Sequence, residues 1–161
     1  LKTPPYVTAT PVVTHQKFSL PNPGTSEPKP PSLKFLVLAT DGLWDVLSSE
    51  EVVALVGGYL AGLKGTVSKS SLPTLVPTAT GSLTVQGKEG TRGNVQHGSW
   101  AFVDDNVSAH LIRNALGGGD EGELRKTLSI PAPHSRRWRD DITVTVVWWE
   151  EAQESRTKAK L

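Results

Sequence analysis

The sequence predicts an α+β fold in which helices flank strands stacked as a sandwich, and three stretches carry that prediction. Phe35–Ala39 is a short, wholly apolar run, the pattern of a strand buried on both faces. After Ser48, which stands as an N-cap with Glu51 three residues on, Val52, Leu55, Val56 and Tyr59 recur at helical spacing. Ile142–Trp149 alternates with a period of two, but its second set contains Val147 and Trp149 beside Thr143 and Thr145. Both of its faces should therefore be covered, as in a sandwich.

The chain has 161 residues, a length that suits one domain. Its 17 basic and 16 acidic residues nearly cancel, so no polyanion-attracting surface is expected and nucleic acid is not a predicted partner. No apolar run approaches the roughly 20 residues of a membrane-spanning helix. Cysteine is absent, which excludes disulfides, thiolate metal sites and thiol nucleophiles. Methionine is absent too and the chain opens on Leu1, so it is expected to be a piece of a longer product. Any targeting segment would lie upstream of it.

In chain order, Leu1–Phe18 reads as extended: Tyr6–Thr10 and Val12–His15 are rich in β-branched residues and punctuated by proline, as edge strands are. Residues 19–32 are proline-rich and form a loop. The Phe35–Ala39 strand runs into Thr40-Asp41-Gly42, where Gly42 permits a sharp turn. A helix of about three turns follows, from Ser49 towards Leu60. Residues 62–99 are dominated by Ser, Thr, Gly, Pro and Lys and read as a low-complexity insertion without a sustained period. Order is expected to return at Trp100–Val103. Asp104-Asp105-Asn106 then offers N-caps to a helix with Ser108, Leu111, Ile112, Ala115 and Leu116 on one face, stopped by Gly117-Gly118-Gly119. A short helix over Gly122–Leu128 ends before Pro131 and Pro133. The domain is expected to run to residue 151, with 152–161 a charged, fraying tail.

Two acidic positions stand out. Asp41 leaves the core at the end of a buried strand, where a carboxylate needs compensation; it either caps the turn or ligates a cation, and the short motif by itself favours the cap. Asp140 and Asp141 stand side by side at the entrance to the last strand. Either Arg136, Arg137 and Arg139 neutralise them, or a carboxylate here meets Asp41 across the sheet end and shares a hard cation such as Mg²⁺, Mn²⁺ or Ca²⁺. The four histidines, His15, His97, His110 and His134, lack metal-ligand spacing, which argues against zinc, and are read as surface or helix-face residues without a role.

The segments PPYVTATPVVT, KFLVLATDGLWD, VVALVGGYLAG, DDNVSAHLIRNALGG and RRWRDDITVTVV, in that order, resemble the C-terminal part of the metal-dependent PP2C (PPM) protein serine/threonine phosphatases. They are most similar to the pyruvate dehydrogenase phosphatase branch. The resemblance implies a β-sandwich of mainly antiparallel sheets flanked by helices, present here incompletely, with two Mg²⁺ or Mn²⁺ ions at one end. By matching motif, Asp41 and Asp140 are the metal ligands, with Gly42 and Asp141 supporting them from behind. Most of the family has Asn where this chain has Asp141. Asp45 is a helix-end or turn residue, and Trp44 packs. No catalytic residue beyond the ligands is expected in this stretch. The implied reaction is hydrolysis of a phosphoserine or phosphothreonine by metal-activated water, with phosphorylated pyruvate dehydrogenase E1 alpha as substrate and the mitochondrial matrix as location. The family's other ligands and its phosphate-binding arginine lie in an upstream half missing from these residues. The piece alone is therefore expected to be inactive and marginally stable or self-associating. The alternative is a pseudophosphatase that keeps the fold as a binding or scaffold module.

Overall fold

A computed structural model of the protein describes residues 8–15, 17, 34–76 and 97–149. Leu36–Val147 form one compact unit, and Leu1–Phe35 with Trp148–Leu161 form another. The larger unit is α+β: strand β1 (Phe35–Ala39), a single turn α1 (Asp41–Trp44), helix α2 (Ser49–Leu60), β2 (Gly65–Ser68), a turn α3 (Leu72–Leu75), β3 (Ser99–Phe102), α4 (Val107–Leu116), α5 (Glu121–Ser129), a 3₁₀ turn (His134–Arg137) and β4 (Val144–Trp148).

The predicted strand β1 and helix α2 form at the expected residues, and α2 shows why. Ser48 Oγ accepts the Glu51 N–H at 3.2 Å while Glu51 Oε2 accepts the Ser48 N–H at 2.9 Å, a reciprocal capping box. Val52, Ala54, Leu55 and Val56 are buried. They join Leu43, Leu47, Leu72, Trp100, Phe102, Leu111 and Ala115 in the core. Gly58 lets α2 lie close to Phe102, since a Cβ there would stand 2.9 Å from its ring.

Helix α4 starts at Asn106, not at either aspartate before it. Asn106 Oδ1 accepts the N–H groups of Ser108 at 2.9 Å and Ala109 at 3.0 Å. Asp104 is drawn instead to the Arg113 guanidinium, 2.9 Å away. The buried face is also rotated from the predicted one: Val107, His110, Leu111, Asn114 and Ala115 turn inward. Two polar residues that the predicted face did not include, His110 and Asn114, therefore sit in the core. Asn114 explains itself by its bonds. Its Oδ1 accepts the Ala101 N–H and its Nδ2 donates to the Ala101 carbonyl, both at 2.9 Å, so it completes the free edge of β3 as a neighbouring strand would.

Among the described residues two short sheets are formed. β2 and β3 run antiparallel with Thr66 opposite Ala101 and Val67 opposite Trp100. β1 and β4 pair in the other, and the Thr40 N–H reaches the Thr143 carbonyl at 3.1 Å. The end of β1 thus lies beside the start of β4, which makes this pair antiparallel as well.

The structure departs from the sequence reading at four further places. β2 and α3 are ordered inside the stretch read as an unstructured insertion, and Leu72 is buried. Four polar-to-neutral residues, GTVS, hold a strand there because β3 supplies the partner that local pattern cannot reveal. Leu83–Val85, also in that stretch, lie outside the described residues. Thr8–His15 form neither helix nor strand and are exposed, so the edge strand expected over Val12–His15 is not present; Pro11 has no N–H to give a ladder. The rest of that expectation, at Tyr6 and Val7, falls outside the described residues. β4 begins at Val144, two residues later than its alternation suggested. Finally, neither β1 nor β4 is covered on both faces: Leu38 is 57% exposed and Val147 42%.

Candidate metal centre

Asp41 is the first residue of α1, separated from the end of β1 by the N-cap Thr40. The corner that carries it is braced from inside. Leu43 and Gly42 are buried, and the half-buried Trp44 folds back so that its indole Nε1–H reaches the Ala39 carbonyl at 3.0 Å. Trp44 thus packs against its own strand end. Asp45 is the C-cap of the turn, its N–H bonded to the Asp41 carbonyl at 2.8 Å.

The second acidic segment docks on this corner. Thr40 Oγ1 donates to the Asp141 carbonyl at 2.9 Å and accepts the Thr143 N–H at 3.0 Å. A Cβ added to Gly42 would stand 2.5 Å from the Asp141 carbonyl oxygen and 3.1 Å from its carbon. Position 42 therefore has no room for any side chain, and glycine is required by close approach rather than by backbone angle. Asp41 and Asp140 are each one residue removed from a bond between these two segments, and both are exposed at the same end of the strand pair. Asp140 Oδ1 also accepts the Asp141 N–H at 2.8 Å, which restrains its carboxylate.

The arginines do not neutralise this end. Arg139 turns away, and its guanidinium donates to the Thr127 carbonyl at 2.6 Å and the Ile130 carbonyl at 3.5 Å, satisfying the end of α5. Among the described residues neither Arg136 nor Arg137 pairs with Asp140 or Asp141. Two exposed carboxylates at one end, neither of them ion-paired among the described residues, suit a hard divalent ion such as Mg²⁺ or Mn²⁺. They fit part of such a site and not a whole one: among the described residues no group of three or more His, Asp or Glu side chains could hold a metal.

Residues 2–61, which include the Thr40–Gly42 corner, match the family model of protein phosphatase 2C. Over that stretch the chain is similar to the protein phosphatase 2C family, as part of its domain. A protein phosphatase 2C homolog of Schizosaccharomyces pombe is 36% identical over 158 residues, covering 94% of this chain and 29% of the relative. The mitochondrial pyruvate dehydrogenase (acetyl-transferring)-phosphatase 1 of Homo sapiens is 38% identical over 159 residues, 90% of this chain and 25% of that protein. The corresponding phosphatase 1 of Saccharomyces cerevisiae is 36% identical over 170 residues, 94% of this chain and 26% of the relative. Matches of that extent take in both Asp41 and Asp140. The chain spans about a quarter of the length of the curated relatives it matches. No solved structure matches it.

Thr40 is the site residue that sequence reasoning passed over. Its signal was faint: a hydroxyl residue directly before Asp-Gly, which reads as a strand end until the partner segment is seen.

Proposed function

We propose that this chain forms part of the metal-holding end of a protein serine/threonine phosphatase of the 2C type. The observation supporting it most directly is the docking of the Asp140–Asp141 segment on the Thr40–Gly42 corner, which leaves two carboxylates at one sheet end in a chain similar to protein phosphatase 2C. Asp41 and Asp140 would donate hard oxygen ligands, with Asp141 and Gly42 supporting from the docked backbone. When bound, a pair of Mg²⁺ or Mn²⁺ ions would bring the pKa of a water towards neutrality and offset charge on the phosphoryl group. Such chemistry needs no thiol, in keeping with a chain that has no cysteine. The remaining ligands would come from residues other than those described.

The relatives' names suggest phosphorylated pyruvate dehydrogenase as the substrate and the mitochondrion as the location; the family resemblance narrows these to a phosphoserine on the E1 component, met in the matrix. The test is release of phosphate by the full-length protein from phosphorylated E1, from an unrelated phosphoserine peptide and from a small aryl phosphate. Release with Mg²⁺ or Mn²⁺ that stops on adding a chelator, fastest on E1, is the expected result. Activity on the peptide and ester with no preference for E1 would retain the phosphatase and discard the substrate. Inertness on all three with either metal would leave the fold serving as a binding module.

A further inference from the structure

We infer that Thr40 is a positioning residue, whose hydroxyl sets divalent-cation affinity by clamping together the two segments that carry Asp41 and Asp140. The inference rests on the metal-site reading above and adds to it a residue that touches neither cation nor substrate.

The geometry is that of a staple. β1 and β4 are neighbours along the ladder, but the regular pairing ends at Ala39 and Val144. At the next step the Thr40 N–H still reaches the Thr143 carbonyl at 3.1 Å. The reciprocal bond, which in a ladder would run from the Thr143 N–H to a backbone carbonyl, runs instead to Thr40 Oγ1 at 3.0 Å. The same hydroxyl spends its proton on the Asp141 carbonyl at 2.9 Å. One side chain thus accepts from the Thr143 N–H and donates to the Asp141 carbonyl, holding the chain just after Asp140 at two points, across 103 and 101 residues of sequence. The Thr40 carbonyl, released from the ladder, takes the Leu43 N–H at 3.1 Å and so starts the turn that presents Asp41.

The consequence is geometric. Two carboxylates on separate segments repel each other and would splay in the absence of a cation. The Thr40 bonds oppose that splay from the backbone side, where no charge is involved. A cation then meets ligands already close to their bound arrangement, and partners behind the ligands commonly change metal affinity by about tenfold or more. Valine, matching threonine in shape, removes the clamp while keeping the packing; serine keeps the hydroxyl; cysteine offers only a weak donor.

The experiment is Mn²⁺ binding to the full-length protein, read by the paramagnetic resonance of free Mn²⁺, with melting temperature measured without metal in parallel. Thr40→Val is expected to weaken Mn²⁺ binding about tenfold, Thr40→Ser to bind as the parent does, and Thr40→Cys to fall between. In an Asp140→Asn background Thr40→Val should add little, because the pair it aligns is already broken. Binding by Thr40→Val equal to the parent's would overturn the inference, as would an equal loss in the Asp140→Asn background. Should valine cost the fold, the order of serine above cysteine still decides: cysteine binding as tightly as serine contradicts the clamp. A protein that binds Mn²⁺ with this order of variants yet releases no phosphate from any ester upholds the clamp and ends the phosphatase reading.

Discussion

His110 lies enclosed between Tyr59 and Phe102, with ring centroids 5.4 and 4.7 Å away. Asn114 Nδ2 stands 3.1 Å from its Nδ1, while the same amide donates to the Ala101 and His110 carbonyls at 2.9 Å. Nε2 has no hydrogen-bond partner. The Leu55 carbonyl is close enough to act on the ring but does not meet hydrogen-bond geometry at Nε2. Burial pushes the His110 pKa below its ordinary 6.5, against the pull of nearby carbonyls and Asp104; Arg113, itself paired to Asp104, reinforces the burial. The sign follows from linkage. The unfolded chain takes up the proton first on acidification, so stability is undiminished above about 6.5 and falls as pH drops below that value towards the lowered folded pKa. Melting temperature followed from pH 7.5 to pH 5 should therefore fall, and His110→Phe should flatten the decline. Parallel profiles for parent and variant would show that some other group is responsible.

At the scale of elements, what stands out is how β3 is held. Two strands make a weak sheet, and the outer edge of β3 is closed by Asn114 rather than by a third strand. Asn114→Leu leaves the Ala101 N–H and carbonyl buried without partners, at about 1–3 kcal/mol for each group. Urea denaturation should show a loss of about 2–6 kcal/mol; a loss under about 1 kcal/mol would mean water replaces the amide. The same element marks where sequence pattern stops being informative. α2 was legible to the residue because its cap, its period and its burial all agree within a dozen positions. β1 was legible because five apolar residues in a row have few other uses. α4 was found but its face was misjudged, since His110 and Asn114 are polar by type and are buried only because β3 and two aromatic rings lie over them. β2 was missed because GTVS carries no period and its partner comes some thirty residues later. Asp41 and Asp140 could be singled out as acids at strand ends, but the bond that joins their segments depends on Thr40, and nothing local marks it.

Over the whole chain, apolar surface remains open on the strands. Leu36, Leu38, Val147, Trp148 and Trp149 are all exposed, although β1 and β4 have the composition of covered strands. Together with a span of about a quarter of its relatives' length, this leads us to expect the 161 residues alone to self-associate. Light scattering after gel filtration should give a mass above 17.3 kDa, falling with dilution; a sharp monomer at every concentration would contradict the expectation. The most direct measurement of the proposed metal centre is Mn²⁺-dependent phosphate release from a phosphoserine peptide by the full-length protein and its Asp41→Asn and Asp140→Asn variants, with Mn²⁺ binding measured on the same samples. We predict that both variants lose at least about a hundredfold in turnover, consistent with the scale of losses when a charge-stabilising group is removed, and that both bind Mn²⁺ more weakly. A variant that keeps parental turnover and parental Mn²⁺ binding would remove its carboxylate from the metal centre and contradict the account.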